Sequence, residues 1–260
     1  MNWLEALILG LLQGLTEFLP VSSSGHLEIG KVLIGVEAKE TLLFTVVVHG
    51  ATVLSTIFVF RKDLWKLFTD SLSLKWNDST KYNLKLLISM VPVIFLGLFF
   101  KEEIEQLFTG RVVFVGMMLV ITGLWLSSTY LKKRNDREIT YLDGLIIGIA
   151  QAIAVIPGIS RSGATISTGL LLGNKREVVT RFSFLMVLVP IIGANAKDIL
   201  DTGFTGMEKI GVLPLAIGFV TAFISGLFAC KAMIGIVKKG NLIYFAIYCA
   251  VIGTLAIIFG

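Results

Sequence analysis

The chain has 260 residues, 55% of them hydrophobic and only 16% charged, with a mean hydropathy of +0.85. Several apolar runs of about 20 residues exclude an ordinary soluble domain and predict a polytopic membrane protein, one integral domain over 1–260. The net charge of +5 does not point to nucleic acid, because the basic residues lie between apolar runs and form no stripe interleaved with aromatics.

The N-terminal stretch has no basic n-region and no small-residue cleavage site, so it is read as part of the protein and not as a removable signal. Residues 3–36 are apolar but interrupted in the middle by Pro20, Ser22, Ser23, Ser24 and Gly25. Runs at 40–60, 82–100 and 111–131 follow as spans. Residues 143–173 repeat the interrupted pattern around Pro157 and Gly158, and runs at 177–196, 212–232 and 241–259 complete the chain. Each half of an interrupted region is too short to cross alone. Broken backbone at membrane depth is tolerated only where protein or a watery cavity receives it. The expected fold is all-α, with six transmembrane helices plus two re-entrant helical hairpins. Cys230 and Cys249 lie in apolar runs and imply neither a disulfide nor a metal framework.

At an offset of 138 the interrupted regions match: Glu5, Gly10, Gln13, Ser22, Ser24 and Gly25 meet Asp143, Gly148, Gln151, Ser160, Ser162 and Gly163. Repeat 1 covers approximately 1–135 and repeat 2 approximately 140–260. Each is a hairpin and three spans, so the second copy enters the membrane inverted. With 61–81 placed inside, Arg61, Lys62, Lys132, Lys133, Arg134, Lys175, Arg176, Lys238 and Lys239 fall on the cytoplasmic side, and acidic Glu102, Glu103 and Glu105 fall outside. Both termini and the opening of the site are then on the outer face, and the hairpin tips meet near the midplane.

Ionisable groups at membrane depth read as functional. After Pro20 and after Pro157–Gly158, new half-helices start on hydroxyl residues, and such starts favour anions. Arg161 adds a planar fork suited to phosphate. The alternatives are that Ser22 and Ser160 only cap helices and that Arg161 pairs with Glu17. Gln13 and Glu17 are four apart and share a helix face. Glu17 suits a general base or a cation ligand, with Gln13 reaching the cation through water. His26 suits a proton shuttle or a nucleophile on phosphorus. His49 reads as structural, and Glu28 and Lys31 as interfacial. From these residues alone, hydrolysis of a lipid phosphate ester or anhydride and transport of an anion fit equally well.

The stretch Gln13–His26, QGLTEFLPVSSSGH, resembles the first motif of the bacterial undecaprenyl-diphosphatase family, the bacitracin-resistance type, written (E/Q)GLTEFLPVSS(S/T)GH. Pro157–Ile166 is similar to its second motif, PGxSRSGxTI, and the likeness runs the whole chain. The resemblance implies a phosphatase of the bacterial cell membrane. It would convert undecaprenyl diphosphate to the monophosphate, recycle the lipid carrier for peptidoglycan and confer bacitracin resistance. It also implies a divalent cation, Mg²⁺ or Ca²⁺. Where Glu is common at the first motif position this chain has Gln13, which puts a two-carboxylate metal site in doubt. A second membrane phosphatase group, related to the vanadium haloperoxidases, needs a His six residues after its Arg; Ser167 stands there, so that reading fails.

The roles implied are Ser23 as nucleophile, Glu17 as base or cation ligand and His26 as proton shuttle. Arg161 is catalytic, and Ser22, Ser24, Gly25, Ser160, Ser162, Gly163 and Thr165 hold the pyrophosphate. Direct attack by His26 ranks second and metal-activated water third. The polyprenyl tail stays in the bilayer and enters laterally, and the sequence leaves a homodimer open. The other functional reading is a transporter or flippase of a lipid phosphate.

Overall fold

The computed structural model describes residues 1–36, 42–73, 75–107, 111–131, 136–202 and 210–260. The described residues are overwhelmingly helical: α1 (Trp3–Phe18), α2 (Ser23–Ile34), α3 (Leu42–Val59), α4 (Arg61–Leu72), α5 (Asp78–Phe99), α6 (Lys101–Glu105), α7 (Val112–Ser128), α8 (Tyr141–Ile153), α9 (Arg161–Leu171), α10 (Arg176–Met186), α11 (Leu188–Thr202), α12 (Val212–Lys239) and α13 (Ile243–Phe259). Four of these stretches are long and apolar enough to cross a membrane, with α10 and α11 taken together as one, or five if α3 and α4 count as one bent span. The protein is a multi-pass membrane protein.

Each interrupted region folds into two short helices that pack on each other, α1 on α2 and α8 on α9. At 1.5 Å per residue, the 16 residues of α1 rise about 24 Å and the 13 of α8 about 20 Å, short of a hydrocarbon core of about 30 Å. Both hairpins start alike. Asn2 caps α1 and Thr140 caps α8, and the third residue of each helix, Glu5 or Asp143, reaches back to the cap backbone. The acidic residue shared by the two interrupted regions is therefore a capping device. Asp143 is held further by two bonds from Arg137, at 2.7 and 2.8 Å.

The long helices lock the hairpins in place. α1 lies along α12, α8 along α5, and α7 along α13. Small residues let these backbones approach: a Cβ on Gly10 would stand 2.6 Å from Gly218 O, and one on Gly123 would stand 2.8 Å from Ala246 O. The buried core runs through Phe18, Val115, Leu119, Ile166, Phe182 and Phe184, beside both hairpin tips.

Two expectations change, and one expected span is built from two helices. The run at 40–60 does not pass straight into a loop: α3 turns by 74° into α4, which exposes Trp65 and Phe68 and buries Leu67. Charge marked this stretch as a connection, but its apolar residues recur at helical spacing. The run at 177–196 divides at Val187 into α10 and α11. Glu28 and Lys31, expected at the interface, are only 6% and 7% exposed and pair with each other at 3.1 Å, because their i, i+3 spacing on α2 turns both inward. Lys132, Lys133 and Arg134, used above for orientation, lie outside the described residues.

Candidate active site

Local sequence breaks both hairpins. α1 stops because Leu19, ahead of Pro20, is driven to an extended conformation (φ −71°, ψ 145°). Ser22 then adopts φ 68°, a left-handed value that costs a non-glycine residue energy and marks a constrained turn. In that pose its Oγ accepts from Gly25 N at 3.2 Å and starts α2. In the second hairpin Gly158 takes φ 96°, and Ser160 Oγ accepts from Gly163 N at 3.1 Å to start α9. Thr122 of α7 pins this tip: its Oγ1 accepts from Ser160 N and donates to Gly158 O, both at 3.0 Å.

The two tips meet. Ser162 Oγ donates to Leu19 O at 3.1 Å. A Cβ on Gly25 would stand 3.0 Å from Gly158 Cα, and one on Gly163 would stand 3.4 Å from Pro20 Cβ, so the glycines permit the close approach.

Glu17 is the centre of the junction, its side chain only 8% exposed. Oε1 accepts from Arg161 Nη2 at 2.6 Å. Oε2 accepts from Ser23 Oγ at 2.7 Å and from Gln13 Nε2 at 3.0 Å, and His49 Nε2 stands 4.0 Å from it. One carboxylate thus gathers groups from α1, α2, α3 and α9. Arg161 also reaches Ser183 O of α10 at 3.4 Å, so its two bonds use two of the five guanidinium N–H groups.

His26 sits to one side. Its Nδ1 lies 2.8 Å from Ser22 O and its Nε2 lies 2.9 Å from the Tyr248 hydroxyl of α13. A carbonyl only accepts, so Nδ1 carries the hydrogen and Nε2 accepts from Tyr248. The ring is 6% exposed, and among the described residues no bond joins it to Ser23 or Glu17.

A model of the family described as "Bacitracin resistance protein BacA" matches residues 6–255. The chain belongs to the BacA family. It is 52% identical to an undecaprenyl-diphosphatase of Christiangramia forsetii, over all of this chain and 98% of that one. Identity is also 52% to an undecaprenyl-diphosphatase of Parabacteroides distasonis, covering 99% of this chain and 98% of the relative. An undecaprenyl-diphosphatase 3 of Bacillus anthracis is 38% identical, with 98% and 97% covered.

In this BacA chain the residues singled out from sequence divide into two groups. Glu17, Ser23, Arg161 and His49 keep some exposure and form the accessible side of the junction, and Ser24 beside them in the chain is also partly exposed. Ser22, Gly25, His26, Ser160, Ser162, Gly163 and Thr165 are buried. Ser22 and Ser160 cap their helices, Ser162 ties tip to tip, and Thr165 bonds Ser183 Oγ at 2.6 Å. The Arg161–Glu17 pairing weighed above is present, and it leaves Arg161 further donors. Sequence reasoning missed Thr122, Ser183 and Tyr248, whose roles come from tertiary packing, and it read His49 as structural although the ring faces Glu17. The signal for His49 was available: an imidazole inside an otherwise apolar span.

For a divalent cation, Glu17 is the carboxylate at the junction, and among the described residues no three His, Cys, Asp or Glu side chains gather. Among the described residues the buried Gln13 Oε1 has no hydrogen-bond partner. One carboxylate and one orphaned carbonyl fit a hard cation that takes its remaining oxygens from a phosphate and water, as Mg²⁺ usually does.

Proposed function

We propose that this chain is an undecaprenyl-diphosphate phosphatase, an integral membrane hydrolase that converts undecaprenyl diphosphate to undecaprenyl phosphate and inorganic phosphate. It thereby recycles the lipid carrier for peptidoglycan synthesis and confers bacitracin resistance. The observation that carries the site assignment is a hydroxyl and a carboxylate 2.7 Å apart, with a guanidinium 2.6 Å from the other oxygen of the same carboxylate. That is a nucleophile with its base, beside a group able to neutralise phosphate charge.

Ser23 Oγ attacks the distal phosphorus and its proton passes to Glu17. The bond from that phosphorus to the bridging oxygen breaks, and undecaprenyl phosphate leaves with the electron pair. Water then attacks the phosphoserine, Ser23 regains a proton, and inorganic phosphate departs. Arg161 and the N–H groups at the starts of α2 and α9 hold the pyrophosphate, with Ser24 at the accessible edge. Ser22, Gly25, Ser160, Ser162, Gly163 and Thr165 shape that cradle from behind. His26, bonded to Tyr248, fixes the first turn of α2 and serves the site from there. Glu17, with Gln13 reaching through water, would hold Mg²⁺ or Ca²⁺, which when bound would neutralise charge on the phosphate oxygens.

The fold assigned here is six spans and two re-entrant hairpins in an inverted repeat. The packing supports it, since the first hairpin lies along α12 of the second repeat and the second hairpin along α5 of the first. Both termini and the site open outward, with Arg61, Lys62, Lys175, Arg176, Lys238 and Lys239 inside. The activity named for the relatives supports hydrolysis over a lipid-phosphate carrier.

The test is phosphate release from undecaprenyl diphosphate by purified protein in detergent, with EDTA and Mg²⁺ or Ca²⁺ arms and Ser23→Ala beside wild type. Release that needs the cation and Ser23 supports the assignment. Folded protein that binds the lipid and releases nothing refutes it.

A further inference from the structure

His49 lies on α3, which neither motif contains, yet its ring faces the carboxylate at the centre of the site. Nδ1 is 2.8 Å from Thr45 O one turn back on the same helix, and because that carbonyl only accepts, Nδ1 carries a hydrogen. This bond fixes the ring plane and sets Nε2 4.0 Å from Glu17 Oε2, an ion-pair contact made when Nε2 carries a hydrogen as well. Oε2 is the oxygen that accepts from Ser23, whereas Arg161 holds Oε1. The packing around α3 keeps the ring there: α12 lies along the helix, Ser55 Oγ donates to Phe223 O at 2.8 Å, and α11 brings Asn195 beside Gly50. Among the described residues Glu17 is the carboxylate in ion-pair range of His49.

We infer that His49 is a positioning residue for Glu17, holding Oε2 toward Ser23 from the side opposite Arg161. This rests on the reading of Glu17 as the base for Ser23. A carboxylate anchored at Oε1 alone can swing about that anchor and carry Oε2 away from the serine. Gln13 and His49, one from its own helix and one from α3, flank Oε2 and define its direction. His26, the histidine inside the motif, occupies no comparable place, since both its nitrogens are taken by Ser22 and Tyr248.

The experiment compares wild type with His49→Leu, His49→Gln and His49→Asn, each purified in detergent and shown monodisperse, with kcat and KM for phosphate release from undecaprenyl diphosphate. General-base catalysis contributes roughly 100- to 10,000-fold, and misdirecting the base forfeits part of it, so His49→Leu should lose about tenfold or more in kcat with KM within about twofold. The Gln amide reaches the Nε2 position and should restore kcat to within about threefold of wild type. Asn carries the same amide one methylene short and should not. The Gln–Asn pair still decides the matter if the Leu variant fails to fold. Wild-type kcat in His49→Leu, equal kcat in the Gln and Asn variants, or a loss confined to KM would each overturn the inference. A Glu17→Gln control separates the two levels: if it stays active, the base assignment itself falls, whereas an inactive control beside an active His49→Leu sinks only the role of His49.

Discussion

Arg161→Ala removes one partner of a pair that is nearly shut off from solvent, the side chains being 16% and 8% exposed. Stranding one member of a buried ion pair costs about 3–5 kcal/mol, and Glu17 would keep only Ser23, Gln13 and the more distant His49 around it. The catalytic loss is separate. Removing one preorganised donor from a transition state that gathers negative charge costs roughly 100- to 1,000-fold in kcat. Arg161→Lys tells the two apart. An ammonium can still neutralise Glu17, but it has no fork to bind the carboxylate and a phosphate oxygen together. Thermal unfolding in detergent should therefore recover most of the way in the Lys variant while phosphate release stays low. An Arg161→Ala protein with wild-type turnover would refute the clamp, and a Lys variant restored equally in stability and activity would refute the need for two simultaneous bonds.

Ser23→Ala should be nearly inactive with unchanged melting. Ser22→Ala should lose about 1 kcal/mol of stability, because its Oγ caps α2, and keep more activity than Ser23→Ala; equal losses in turnover would undo the separation of nucleophile from cap. Gln13→Glu restores a second carboxylate beside Glu17 and should lower the Mg²⁺ concentration needed for half-maximal phosphate release, read in a titration after EDTA treatment. An unchanged or higher requirement would remove Gln13 from the cation site.

The hairpins were legible in the sequence because their breaks are chemical: Pro20, Pro157 and Gly158 disfavour a continuing helix, and serines follow as caps. The meeting of Glu17 with Arg161, 144 residues apart, was legible only through the repeat, which implies that the tips face each other. Tyr248, Thr122 and Ser183 were hidden. Each is an ordinary residue on an apolar helix, and its role exists only once α13, α7 and α10 pack against the tips. Helix α4 was hidden for another reason. Its charges follow the positive-inside pattern of a loop, and they outweighed a modest amphipathic period. The inward turn of Glu28 and Lys31 was missed because mutual neutralisation at i, i+3 makes burial affordable for two groups that separately belong at a surface.

Compared at the offset of 138, the two hairpins agree in some positions and differ in others. Positions that shape the tips are kept in both: Ser22 with Ser160, Ser24 with Ser162, Gly25 with Gly163, Gln13 with Gln151. Positions given a role in the proposed mechanism differ: Glu17 answers to Val155, Ser23 to Arg161, His26 to Ala164. Two faithful copies would bring two carboxylates together, or two guanidiniums, and like charges at such a junction oppose each other in a poorly solvated place. This chain has neither pairing: the first tip supplies hydroxyl and carboxylate, the second supplies the guanidinium, and the position that answers to Glu17 is apolar. Val155 there lines an apolar cavity of about 590 Å³ between α5 and α8, and among the described residues neither polar atom of the Gln151 amide has a hydrogen-bond partner. The matching positions shape the tips, and the differing ones bring a hydroxyl, a carboxylate and a guanidinium together at the junction.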